Sequence, residues 1–304
     1  MDWNEEIKEF KIFLDIEKGL SNNSVTAYLN DIYKLKEYIT EIKNFPLKPT
    51  ALQFKHLQEF IIYIAELGVS EATQARLISS LRSFFKFLLI DNKIDKNPAS
   101  LLQPPRLSRK IPEILSVEEI DKIISAIDLS QSEGHRNRAI IEVLYSCGLR
   151  VSELTNLKIS NLFFEQGFIK ITGKGEKQRL VPISDRAKEE IVNYLEQKRT
   201  QLNIQSGFED FVFLNRRGKS ITRNMIFMII KDLTAKAEIN KKVSPHTFRH
   251  SFATHLVEGG ANLRSVQEML GHASITTTEI YTHLDQSYLR ETILSFHPRG
   301  NIEK

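Results

Sequence analysis

A chain of 304 residues is long enough for two domains with separate cores. Its 41% hydrophobic and 26% charged residues are ordinary for a folded protein, and 42 Lys and Arg against 38 Asp and Glu leave a formal charge of +4, which fits a polyanionic partner without requiring one. A single cysteine, Cys147, excludes an intrachain disulfide and a Cys-rich zinc site, the acidic start Met1–Glu6 lacks the apolar core of a secretory signal, and no run of about 18 apolar residues is present, so a cytoplasmic protein is expected.

The first hundred residues predict helices only. Ile7, Phe10, Ile12, Phe13, Leu14 and Ile16 form an apolar stripe that stops at Gly19. Ser21 to Ser24 offer N-caps for a second helix carrying Tyr28, Leu29, Ile32, Leu35 and Ile39. Pro46 and Pro49 break the chain before a third helix over Phe54–Leu67, and a fourth starts near Ser70 or Glu71 and carries Leu77, Leu81, Phe84, Phe85 and Leu88. Four helices with short connections predict a compact bundle. Its basic residues Lys48, Lys55, Arg76, Arg82 and Lys86 are candidates to face a phosphate backbone, with a plain solvated face as the alternative.

From Asn97 to Pro112 the chain is rich in proline and base, with Pro98, Pro104, Pro105, Arg106, Arg109, Lys110 and Pro112, so it predicts a semi-rigid linker. Ser116-Val117-Glu118-Glu119 then reads as a capping box, and a helix follows over Arg138–Tyr145. Cys147 sits in an apolar run and reads as a buried small hydrophobe. Gly148 interrupts, and a short helix opens just beyond Arg150. Between Phe163 and Ile183 the pattern turns to strands, with Gly167, Gly173 and Gly175 at turns, so a small antiparallel sheet is expected. Helices are predicted at about 185–202, 222–237, 247–258, 262–270, 275–283 and 286–295. The fold class expected is mainly α with a small antiparallel β-sheet in the second domain.

The chemistry concentrates near the C-terminus, in Pro245-His246-Thr247-Phe248-Arg249-His250, Leu270-Gly271-His272 and Tyr281, with a companion far upstream in Gly148-Leu149-Arg150-Val151-Ser152-Glu153-Leu154. Two guanidiniums, two imidazoles and a phenol suit a phosphodiester. Cleavage adds negative charge to its nonbridging oxygens, and a planar, permanently charged guanidinium binds two such oxygens at once. The plain alternative for either arginine is a surface ion pair. A phenol with an ordinary pKa near 10 is a poor nucleophile unless a base and positive neighbours assist it. From the residues alone, Tyr145 and Tyr288 stand beside Tyr281 as alternatives. His246, His250 and His255 lack the His-Glu-x-x-His spacing of a zinc site, and no metal is expected.

Taken together and in order, these motifs, with Tyr281-Thr282-His283 and the terminal Phe296-His297-Pro298-Arg299, resemble the tyrosine recombinase (phage integrase) family, and within it the bacterial Xer type, over essentially the whole chain. The resemblance implies a two-domain DNA clamp: a SAM-like four-helix core-DNA-binding domain at 1–103, a Pro/basic linker at 104–112 and a catalytic domain at 113–304. It implies Tyr281 as the nucleophile, Arg150 and Arg249 as the phosphate clamp, and His246 in acid–base work. His272 would donate a hydrogen bond to the phosphate. Lys174, in the turn Thr172-Gly173-Lys174-Gly175-Glu176-Lys177, would act as general acid, with Lys177 as its rival, and Glu153 would orient the site.

By the same resemblance the activity is site-specific cutting and rejoining of DNA through a 3′-phosphotyrosyl link, with neither ATP nor any other cofactor, and the biological task is chromosome dimer resolution at a dif-like site. The partners implied are duplex DNA, a homo- or hetero-tetramer with a second Xer recombinase, and the translocase FtsK. The apolar face of the last helix, with Tyr288, Leu289, Ile293, Leu294 and Phe296, would dock on a neighbouring subunit or pack on its own domain. Alternatives are a type IB topoisomerase-like nicking-closing enzyme, the integrase of a mobile element, and a non-catalytic DNA-binding protein.

Overall fold

The computed structural model describes residues 2–45, 47–105, 113–173, 177–271 and 283–300, without the side chains of 283–287. The chain separates into two compact units, Met1–Lys110 and Ile111–Lys304. Among the described residues no helix is long and apolar enough to cross a membrane.

The first unit is helical. α1 (Trp3–Ile12) and α2 (Asn22–Glu37) each run on into a wider π turn, Phe13–Glu17 and Tyr38–Ile42, closed by Lys18 N–H on Phe13 O at 3.1 Å and Lys43 N–H on Tyr38 O at 2.9 Å. A 3₁₀ turn at Pro49–Ala51 leads into α3 (Phe54–Glu66) and the long α4 (Glu71–Ile90). Most of the predicted stripes converge on one core, in which Phe10 meets Phe84 edge to face at 5.1 Å. Ile12 and Ile16, expected in the first stripe, instead lie on the outer face of their turns, 52% and 76% exposed, while Ile7, Phe10, Phe13 and Leu14 fill the core.

Two of the basic residues expected at the surface are engaged internally. Arg76 Nη1 donates to the fully buried Asp31 at 2.5 Å and to Ala27 O at 3.1 Å, and Ser80 Oγ adds a bond to Asp31 at 2.7 Å. Arg82 donates to Leu102 O. A carboxylate buried among helices needs such partners, so Arg76 ties α4 to α2, while Arg82 ties α4 to the chain that follows it. Lys93 clamps the end of α4 to α1 through Glu6 at 2.9 Å and Glu9, with Asp91 at 2.9 Å.

In the second unit α5 (Val117–Ser125) starts on the predicted capping box, Glu119 N–H donating to Ser116 Oγ at 3.3 Å. α6 (Gly134–Cys147) is the central helix. Ala139, Ile140, Ile141, Val143, Leu144, Tyr145 and Cys147 are all solvent-free, and burial drives the Cys147 thiol pKa upward, as fits an inert side chain. α7 (Val151–Thr155) follows. The sheet has the order β1-β2-β3, all antiparallel: β1 (Leu162–Phe163), β2 (Phe168–Thr172) and β3 (Gln178–Pro182), with Ile169 opposite Val181 and Ile171 opposite Arg179.

α8 (Asp185–Gln197) ends before the predicted limit of 202 and passes into a 3₁₀ turn at Arg199–Gln201. α9 (Arg223–Lys236), α10 (Pro245–Glu258), α11 (Leu263–Leu270) and α12 (His283–Phe296) complete the unit. The helix expected at 275–283 lies almost wholly outside the described residues. In the single chain the last helix packs on its own domain: Leu289 and Ile293, one turn apart, are buried in the core of the unit, whereas Tyr288 is 52% exposed. Beyond α12, Arg299 reaches back to Glu142 at 3.3 Å and to Asp121, which fastens the tail to α6 and α5.

Candidate active site

Two helix ends build the centre of the site. Gly148 closes α6 in the left-handed region (φ 57°), and a Cβ there would lie 2.5 Å from the Phe252 ring, so conformation and space both demand glycine. Gly271 closes α11 the same way (φ 63°), against the side chain of Arg179. The carbonyls at these ends have no partner within their own helices and carry the negative pole of the helix dipole, which makes them acceptors for cations.

Arginines take them. Arg249 on α10 donates Nη1 to Gly148 O at 2.7 Å and Nη2 to Leu270 O at 2.5 Å. Arg150, the residue ahead of α7, donates Nη2 to Gly271 O at 3.1 Å. Arg179 on β3 donates Nε to Met269 O at 2.9 Å. Three guanidiniums from three parts of the chain thus hold the three consecutive carbonyls that precede His272.

Glu153 ties two of them together. Its Oε1 accepts Arg150 Nη1 at 2.9 Å and Arg179 Nη1 at 2.8 Å, and its Oε2 accepts Arg150 N–H at 2.8 Å and Arg179 Nη2 at 2.9 Å. Burial acts to raise the Glu153 pKa, but the hydrogen bonds and charge of Arg179, followed by the Arg150 bonds, outweigh it and hold the carboxyl below its usual range. Three guanidiniums against one carboxylate leave the site with surplus positive charge. Arg249 is only 7% exposed, and burial first, then the nearby Arg150 charge, bring its pKa down to about 10, still fully charged at neutral pH. The Arg150 side chain is 36% exposed and so keeps an open face.

His246 sits in the first turn of α10. That helix begins at Pro245, two residues before the predicted start, because Ser244 caps it by accepting Thr247 N–H at 3.4 Å and Pro245 occupies the first turn, where its missing N–H costs nothing. His246 therefore lies one turn ahead of Arg249 on one helix. It is exposed, and burial, then His250, Arg249 and Arg150, lower its pKa, which favours the neutral imidazole. Among the other histidines, His255 pairs its Nδ1 with the Tyr145 hydroxyl at 2.8 Å.

Of the predicted site residues, Arg150, Glu153 and Arg249 come together as described, with His246 on the same helix as Arg249. Lys174, His272 and Tyr281 lie outside the described residues. Tyr145, a rival to Tyr281, is fully buried and its pKa is driven upward by burial, so it suits the core rather than a nucleophile. Arg179 was missed. A sequence signal for it exists: alternation in β3 puts Arg179 on the inward face with Val181, where a charged residue demands a buried partner.

Comparison with known proteins gives the family. The chain matches the phage integrase family over residues 113–287, and the N-terminal SAM-like domain of phage integrases over residues 7–92. It is 41% identical over 297 residues to the tyrosine recombinase XerD of Staphylococcus epidermidis, covering 98% of this chain and 100% of that protein. It is 40% identical to XerD of Listeria monocytogenes, with the same coverage. Among solved structures it is similar to the XerH site-specific recombinase bound to a palindromic difH substrate in a post-cleavage complex, with a TM-score of 0.68 and 27% identity over 88% of this chain and 78% of that one. The chain belongs to the phage integrase family and is a site-specific tyrosine recombinase. Within that family it is of the Xer type, closer to XerD. The topoisomerase-like reading is not favoured by these relatives.

Proposed function

We propose that this recombinase cuts and rejoins duplex DNA at a dif-like site and resolves chromosome dimers in the cytoplasm. The observation that carries the reading is the convergence of Arg150 and Arg249, 99 positions apart in the sequence, on the helix ends at Gly148, Leu270 and Gly271, with surplus positive charge beside the open face of Arg150.

In this reading Arg150 and Arg249 grip the nonbridging oxygens of the scissile phosphate and stabilise the charge that grows there. The Tyr281 oxygen attacks phosphorus and its proton passes to the neutral His246. The bond from phosphorus to the 5′ oxygen breaks as Lys174 protonates that oxygen, and His272 donates a hydrogen bond to the phosphate. A 3′-phosphotyrosyl link and a free 5′-hydroxyl result. A 5′-hydroxyl from the partner strand then attacks the link and restores the phenol. Bond energy is retained, so the residues require neither ATP nor a metal.

Residues 1–103 act as the core-DNA-binding domain, 104–112 as the linker and 113–304 as the catalytic domain, together a clamp around DNA. Four subunits work on two sites, with a second Xer recombinase or further copies of this chain, under the translocase FtsK. XerD relatives and the XerH complex with difH support the site class. The test is a nicked suicide duplex built on a dif-like site. The wild type is expected to form a covalent adduct stable in detergent and Tyr281→Phe none; an undiminished adduct in Tyr281→Phe refutes the assignment of the nucleophile.

A further inference from the structure

Arg179 has no chemical role in the reaction just described, yet its guanidinium uses every nitrogen. Nη1 and Nη2 fork onto Glu153 at 2.8 and 2.9 Å, Nε holds Met269 O at 2.9 Å, and the residue is 7% exposed. Glu153 in turn holds Arg150 by its backbone N–H and by Nη1. From these contacts we infer that Arg179 is a positioning residue for strand cleavage: it sets the orientation and the available charge of Arg150, and it anchors the chain where His272 follows. This inference rests on the recombinase reading and deepens it.

The physical basis is the sharing of one carboxylate. Four donors saturate the oxygens of Glu153, two from each arginine. While Arg179 satisfies half of them, Arg150 is held at the edge of the carboxylate and retains charge for an anion. Without Arg179 the buried Glu153 has Arg150 as its remaining strong partner here. The two form a locally neutral pair, and the surplus charge of the site falls by one. A lysine cannot restore the arrangement, since a point charge supplies neither the fork nor the Nε bond. The Arg179 side chain also lies against Gly271, so it links β3 directly to the α11 terminus.

The test uses the full chain in single turnover on two nicked duplexes with a dif-like site, one with an ordinary scissile phosphodiester and one with a neutral methylphosphonate there. A phosphonate carries less charge to neutralise, so a defect in the charge or aim of Arg150 matters less on it. Arg179→Gln is expected to slow adduct formation on the phosphodiester by about 10- to 100-fold and on the methylphosphonate by less than about threefold. Equal slowing on both duplexes marks a packing lesion and overturns the inference, as does unchanged cleavage of the phosphodiester. Arg179→Lys keeps the charge and is expected to show the same split between substrates; it carries the comparison if Arg179→Gln does not fold, and full activity in it also overturns the inference. Failure of the wild type to capture the phosphodiester duplex would count against the recombinase reading instead.

Discussion

The two units treat buried charge in opposite ways. In the first, charge is matched or turned negative: Asp31 is answered by Arg76 and Ser80, and Lys93 is surrounded by Glu6, Glu9 and Asp91. In the second, Arg150, Arg179 and Arg249 crowd around one carboxylate, Glu153, and lean on helix-end carbonyls for the rest. Partial charges on carbonyls satisfy the hydrogen-bonding geometry of a guanidinium but do not cancel its charge. The first arrangement serves cohesion; the second leaves a deficit of negative charge that an incoming phosphate can fill.

That contrast can be broken by substitution. The largest effect is expected for Arg150→Ala, which removes a partly exposed guanidinium: adduct formation on the suicide duplex should fall by roughly 100- to 1,000-fold while the thermal midpoint stays close to that of the wild type. Next is Arg76→Ala in the first unit. It strands Asp31, and because Arg76 is itself 39% exposed the cost is reduced by solvent screening to about 1–3 kcal/mol in urea unfolding, with unchanged cleavage per folded molecule. If Arg150→Ala destabilised the fold as much as Arg76→Ala, the proposed division between cohesion and binding would fail.

The smallest effect concerns pH. The pKa of His246 lies below the ordinary histidine value of 6.5, so its neutral, proton-accepting form persists at and above that pH and is lost only below it. Cleavage should therefore be flat above about pH 6.5 and decline on acidification, by at most about tenfold per pH unit. His246→Gln should be slow and should lack that inflection. A profile still rising above pH 7 would point to a different base.

Legibility in the sequence followed the range of the interaction. The capping box at Ser116, the strand character of β2 and β3 and most of the apolar spacing are local and appear in the fold where expected, Ile12 and Ile16 being the exceptions. The Ser244-Pro245 start of α10 was equally local but obscured by reading the helix from Thr247. The π turns after α1 and α2 depend on how the helix ends pack and have no simple sequence mark. The internal use of Arg76 depends on Asp31, 45 residues away, and that of Arg179 on Glu153, 26 residues away. Arg150, Glu153 and Arg249 could be picked out because short motifs surround them; Arg179 lies in an ordinary-looking strand.

The grip of three arginines on the end of α11 also bears on when in synthesis the cluster can assemble. Its contacts close loops of 90, 121 and 21 residues, from Arg179 to Met269, Arg150 to Gly271 and Arg249 to Leu270. Closing long loops is slow and is completed late in folding. During synthesis from the N-terminus, a chain that stops short of Met269 offers these arginines none of those acceptors, however well its earlier helices have formed. Assembly of the arginine cluster thus waits for nearly the whole chain, up to the last turn of α11.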